Sequence, residues 1–419
     1  MANLAHVVVL GAGFGGLEFC KQFHFQGARV TLVDRTNHHI FQPLLYQVAT
    51  AGLSATDVAQ PIRSILSGHR DITVIMDSVT DFNLAERKVI LANSELHYDF
   101  LVIALGGCTS YFGHPEWEKH APGLKSLEDA VKIRSQVLTA FEKAEMAKSR
   151  EDQERLMTTV VVGGGPTGVE LAGAISDLAR HVLRADFRRI DSAHARVVLL
   201  EGGDRVLAHM APDLSASAQR QLTKLGVKVR VNARVKTITE EGVELESGEK
   251  IPAANILWAA GVSPSPLTKK LGVHLDRAGH IKVNPDLSLP DHPEVFAVGD
   301  LALVLQEDGK PVPGVSPAAM QMATHVAHII EHDLNSHGKV ARPPFKYWDK
   351  GTMATIGRSA AVVEIGKFHI SGFFAWLAWL MLHLVFLVGF RNKILVLVQW
   401  LYSYATYKSG ARIVFGTRD

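Results

Sequence analysis

The chain has 419 residues with 44 Lys and Arg against 42 Asp and Glu, a formal net charge of +2. That length exceeds one hydrophobic core and predicts two or three domains, and 47% hydrophobic with 21% charged residues excludes a disordered chain. The near-neutral balance argues against nucleic acid as a partner, and two cysteines, Cys20 and Cys108, far apart and outside any paired motif, exclude a disulfide framework and a cysteine metal site.

The N-terminus runs almost directly into the apolar strand HVVVL at 6 to 10, with no basic or separate apolar leader, so no secretion signal is expected and a reduced, cytoplasmic setting is the default. Residues 6 to 34 read as strand, Gly-rich turn, helix through about Phe25, and a second strand, RVTLVD, ending on an acid. Strand-like segments follow at DITVIM, KVILA and FLVIALGG, then a charged helical connector from about Ser126 to Arg155. At 159 to 201 the strand, turn and helix pattern returns, and after an insertion rich in Arg and His the strand RVVLLE closes it. A helix at 213 to 225, the strands GVKVRVN and NILWAAGV, the segment VFAVGD and a helix from about Pro317 to Leu334 complete an α/β pattern with two Rossmann-like dinucleotide-binding domains. The Pro, Gly and charge-rich region 335 to 350 marks a boundary to a C-terminal module.

Each glycine turn has the residues a dinucleotide needs. In Gly11-Ala-Gly13-Phe14-Gly15-Gly16, Gly11 makes the tight turn, Gly13 admits a pyrophosphate against bare backbone, and Gly16 lets helix and strand approach. The helix N-terminus then holds phosphate through its N–H groups and dipole. Asp34 is placed to accept from ribose hydroxyls, with Arg35 beside it. In the second turn, Gly163-Gly-Gly165-Pro166-Thr167-Gly168, the matching acid is Glu201, which repels a ribose 2′-phosphate and favours NADH over NADPH; Gly261, near the end of the NILWAAGV segment, joins this set. Two turns imply two dinucleotides, and the economical chemistry is hydride transfer from nicotinamide to a flavin. Chain order, with Asp300 ending VFAVGD, assigns FAD to the first turn, Asp300 otherwise being an ordinary helix N-cap acid.

Six segments then resemble the type II NADH dehydrogenases, single-subunit NADH:quinone oxidoreductases of respiratory membranes: NHHIFQPLLYQVATAGLS at 37 to 54, GGGPTGVELAG at 163 to 173, VFAVGDLA at 295 to 302, PVPGVSPAAMQ at 311 to 321, MATIGR at 353 to 358, and a hydrophobic, basic C-terminus. The resemblance implies a cytoplasmic-face, monotopic enzyme of the inner membrane that forms a homodimer and does not pump protons. It implies that Gln42 and Pro43 run past the flavin, with Leu44 and Tyr46, toward the quinone pocket; as plain residues, Leu44 and Tyr46 can equally be core. Glu170 matches an acid near nicotinamide, flavin and quinone that can relay a proton, although a first-turn glutamate is also an ordinary dipole partner. Gln321 matches a quinone-headgroup and flavin-site glutamine. Met320 and His325 depart from the family's Ala-Gln-x-Ala-x-Gln, but His325 shares the Gln321 helix face and can still meet a quinone carbonyl. Lys350 resembles a lysine near the flavin, or is a solvated surface lysine.

The absent cysteine pair excludes a thiol relay from the flavin, and the 20 histidines form no metal spacing, His38 and His39 reading as loop residues. The uncharged stretch FFAWLAWLMLHLVFLVGF at 373 to 390 would span about 27 Å as a helix, marginal for a bilayer. Trp376 and Trp379 suit an interface, and Asn392, Gln399 and Ser403 share a face of the next segment. Five basic residues against one acid between 391 and 419 attract anionic lipid. A transmembrane helix, a buried dimer hairpin and helices lying in the membrane surface all remain open; the third is preferred for residues 371 to 419. The expected layout is an FAD-binding domain at 1–120 and 275–335, an NADH-binding domain at 121–274 and a membrane-anchoring and dimerisation module at 336–419. The expected function is NADH:quinone oxidoreduction, against a soluble reductase with a protein acceptor or an NADH-sensing flavoprotein scaffold.

Overall fold

The computed structural model describes residues 4–336, 340–406 and 411–414. Residues 337–339 of the expected boundary segment, and Lys408 and Arg418 of the basic tail, lie outside the described residues. The chain forms two compact units, one of residues 1–39, 60–108 and 262–350, the other of 40–59, 109–261 and 351–419.

In the first unit the valine-rich strand Ala5–Leu10, buried from His6 onward, lies between Phe100–Ile103 and Ala28–Asp34, parallel to both. Ile72–Met76 extends the sheet on one side and His292–Ala297 on the other, with Ser288–Leu289 as an antiparallel edge. Leu10 stands opposite both Val33 and Ile103, so the first glycine turn leaves the sheet where the strand order reverses. Such a point is where open α/β sheets take ligands. The helices Phe14–Gln22 and Ser316–Ser336 cover one face through Leu17, Phe19, Met322, Val326 and Ile330. Each such side chain, removed from water, contributes ~1.5–3 kcal/mol. The first helix ends three residues before the expected Phe25 because Phe23 turns extended and buries its ring against Phe19.

The second unit repeats the arrangement. Thr158–Val162 is flanked in parallel by Arg196–Leu200 and Asn255–Trp258, with Val227–Arg230 outside, and Val162 stands opposite both Leu200 and Trp258. The charged connector is two helices rather than one. Leu127–Met146 begins on a Ser126/Asp129 capping box, and Ala147 leaves the helical conformation before Ser149 caps Arg150–Leu156.

After 351, the antiparallel strands Thr352–Thr355, Ala361–Ile365 and Phe368–Gly372 lead into the helices Phe373–Phe386 and Phe390–Thr406. The apolar stretch is thus broken near Gly389, whose φ of +87° favours glycine. Its helices have 14 and 17 residues, and among the described residues no helix is long and apolar enough to cross a membrane. Phe374, Met381, Val385, Val398 and Leu401 point outward with more than half their surface exposed. Trp376, Trp379, Asn392 and Trp400 point inward and are buried. The amphipathicity is therefore inverted relative to a water-facing helix: the polar edge packs on the protein and the apolar face is presented outward. Trp376 and Trp379 belong to the interior and not to the interface position expected of them.

Candidate active site

The two glycine turns are built alike. Gly11 and Gly163 have φ of +94° and +111°, and a Cβ on either would strike backbone, at 2.4 Å from the Ala104 oxygen and 2.7 Å from Ala259. A Cβ on Gly16 or Gly168 would lie 1.8 Å from the carbonyl oxygen of Gly11 or Gly163, so only glycine lets helix and strand close there. Beside Gly13 and Gly165, by contrast, a Cβ would meet nothing within 4 Å. Neither helix that follows has a side-chain cap, so the first-turn N–H groups face that open space. Open space over bare glycine and uncapped donors fits a pyrophosphate.

The acids are tied into the turns. Asp34 accepts from Ala12 N–H at 2.7 Å and from the Thr36 N–H and hydroxyl, and Glu201 accepts from Gly164 and Gly203 N–H, both at 2.6 Å. Both remain half-exposed, leaving lone pairs for ribose hydroxyls. Phe14 meets His39 edge-on, Gly15 is buried, Arg35 is exposed, and Asp300 lies beside Gly107 and Gly314 after the left-handed Gly299. In the second unit Pro166 opens its helix, Thr167 is exposed, and Gly261 has φ of +81° beneath the Phe112 ring. Gln42, exposed on a 3-10 turn with Pro43, donates to the Lys125 oxygen at 3.3 Å.

Glu170 stands one turn into the Pro166–Asp177 helix, where Gly173 lets the 356–357 backbone approach closely. Enclosure pushes its carboxyl up to about 8, opposed by the Thr355 N–H, 3.4 Å from Oε1. Glu170, Asp177 and Tyr404 all lie within electrostatic reach of Tyr46, whose hydroxyl is held far above its ordinary range by burial and by these neighbours. Asp177 is raised by burial and opposed by Arg358 and His181. Arg358 also donates to the Ser403 oxygen at 2.7 Å, fastening the last helix. Trp379 and Tyr46 rings meet edge-on at 6.4 Å, and His383 stacks on Trp379 at 4.1 Å. Burial brings His383 down to about 4, so it adds no charge to its helix.

In the first unit the Gln321 amide pairs with the Trp348 backbone in both directions at 3.0 Å. His325, one turn along, lies edge-on to Phe345, its Nε2 buried without a partner among the described residues. Lys350 is exposed and sits 5.4 Å over the Trp348 ring. His38 and His39, expected from the sequence as loop residues, lie in the short strand His38–Ile40, and His39 is buried with Nδ1 2.9 Å from the Ala12 oxygen, inside the first glycine turn. Sequence reasoning missed Gln47 and Trp400, joined by a buried hydrogen bond. No spacing signal marks either. Cys20 is buried with its thiol pushed up, and Cys108 is also a free thiol. Among the described residues no cluster of His, Cys, Asp or Glu could hold a metal.

Residues 5–323 match the pyridine nucleotide-disulphide oxidoreductase family model, and 349–406 match the NDH2 C-terminal domain. The type II NADH:quinone oxidoreductase Ndh of Mycobacterium tuberculosis is 43% identical over 96% of this chain and 89% of its own length. An internal alternative NAD(P)H-ubiquinone oxidoreductase of Arabidopsis thaliana mitochondria is 30% identical over 97% of this chain and 85% of its own. NDH2 of Plasmodium falciparum, solved with NADH, shares the fold at a TM-score of 0.90 and 20% identity, covering 98% of this chain and all of that one. The chain belongs to the type II NADH:quinone oxidoreductase family.

Proposed function

We propose that this chain oxidises NADH and delivers two electrons to a membrane quinone without pumping protons. FAD, when bound, takes the hydride and passes the electrons on. Its place is the first glycine turn, with Gly11, Gly13, Phe14, Gly15, Gly16, Asp34, Arg35, Asp300 and Gln321, and the family resemblance adds Gln42 and Pro43. NADH takes the second turn, with Gly163, Gly165, Pro166, Thr167, Gly168, Glu201 and Gly261. Glu170 donates a proton to the reduced quinone, and Gln321, His325 and Lys350 orient the reactants.

One observation carries the reading: a carboxyl kept protonated up to about 8 lies in the same unit as two helices whose apolar faces point outward. A general acid with that affinity suits protonation at neutral pH, and the apolar face suits a lipid-soluble acceptor. The outward face of the helices Phe373–Phe386 and Phe390–Thr406 rests on the cytoplasmic surface of the inner membrane, peripherally, and the protein works as a homodimer; both follow the family resemblance. Light scattering of the detergent-solubilised protein reads the dimer. The central test is NADH oxidation by purified protein with a short-chain quinone. A flavin that bleaches with NADH and stays bleached with every quinone refutes the proposal.

A further inference from the structure

Tyr46, Gln47 and Trp400 form a buried chain of hydrogen bonds in the second unit, reaching across 353 residues of sequence. Trp400 Nε1 donates to Gln47 Oε1 at 2.8 Å, and Gln47 Nε2 donates to the Tyr46 hydroxyl oxygen at 2.9 Å. An indole N–H can only donate. It therefore dictates which end of the amide is oxygen, an orientation otherwise inferred from the surrounding hydrogen bonds, and turns the amide nitrogen toward Tyr46. The reverse amide would set two buried donors against each other. A phenol oxygen that already accepts from the amide keeps its own hydrogen to give, so Tyr46 is held as a donor.

The surroundings indicate what the donor serves. Tyr46 is within electrostatic reach of Glu170, and its ring meets Trp379. Trp379 and Trp400 are the inward side of the two helices whose outward side is apolar. Trp379 Nε1 is itself buried with no acceptor among the described residues. A donor of fixed direction and a second, unpaired donor in one aromatic cluster suit an oxygen carried by a flat apolar molecule.

We propose that the Tyr46 hydroxyl donates a hydrogen bond to a quinone carbonyl oxygen, and that Gln47 and Trp400 are positioning residues that hold it as a donor. The proposal rests on the quinone reading and adds the group that recognises the carbonyl. It also makes the docking of the Phe390–Thr406 helix and the direction of that donor one device: without Trp400 the amide is free to turn over.

The test uses detergent-purified full-length protein with a short-chain quinone, comparing Tyr46→Phe, Trp400→Phe, Gln47→Glu and the Tyr46→Phe/Trp400→Phe pair. The carboxylate of Gln47→Glu accepts from both neighbours and draws the phenol hydrogen inward. Each variant is expected to raise the quinone KM about tenfold, with the rate of flavin bleaching by NADH held within about twofold. The pair is expected to be no worse than Tyr46→Phe alone, because both act on one hydrogen bond. An unchanged quinone KM in Tyr46→Phe, additive effects in the pair, or loss of both half-reactions together would overturn it. If wild type turns over with quinone, those results sink this inference alone. A wild-type flavin that quinone never reoxidises sinks the functional reading and this inference with it.

Discussion

Glu170→Gln tests whether enclosure of that acid is real and used. Carrying the carboxyl from its ordinary 4.5 to about 8 means that the folded chain binds a proton the unfolded chain has released between those values. Stability therefore falls as pH rises through that window and stays lower above it. At about 1.4 kcal/mol per tenfold change in proton affinity, a fully enclosed carboxyl costs roughly 4–5 kcal/mol above pH 8. Glu170 retains some solvent contact, and screening brings the expected cost to about 2 kcal/mol. Glutamine is neutral at every pH and similar in shape, so the variant should melt near wild type at pH 5 and roughly 4 °C above it at pH 9. Thermal unfolding followed by near-UV circular dichroism from pH 5 to 9 reads this directly. In turnover with quinone, wild type should lose rate as pH rises through about 8, and the variant should lack that limb and run slower at pH 7. A melting difference that does not grow with pH would refute the argument from enclosure, and an unchanged pH profile would refute the proton donor.

Three further outcomes follow from other parts of the molecule. Gly168→Ala puts a Cβ 1.8 Å from the Gly163 oxygen and should weaken NADH at least about hundredfold while the purified protein keeps its flavin absorbance; bleaching at graded NADH checks it. Glu201→Gln removes the charge set against a 2′-phosphate, and the ratio of kcat/KM for NADH over NADPH should fall about tenfold. Replacing Leu377, Met381 and Val385 together with Ser removes ~4–6 kcal/mol of apolar burial from the outward face. Flotation with anionic vesicles should then leave the protein at the bottom of the gradient, and continued flotation would exclude this face as the membrane contact.

What was legible in the sequence is what local sterics decide. Gly11, Gly16, Gly163 and Gly168 are dictated by a tight turn and a close approach, so their spacing shows before any tertiary contact, and the β-branched runs on either side show the sheets. The apolar C-terminal stretch was equally plain, but not its direction. Asn392, Gln399 and Ser403 marked one side of a helix, and only packing settled that this side turns inward and leaves Val398 and Leu401 outside. The acidity of Glu170 depends on atoms brought around it by the 355–357 backbone, and the direction of the Tyr46 hydroxyl depends on an indole 354 positions away by number. Desolvation and hydrogen-bond direction are set by neighbours in space, and a sequence read along its length records neighbours only in order.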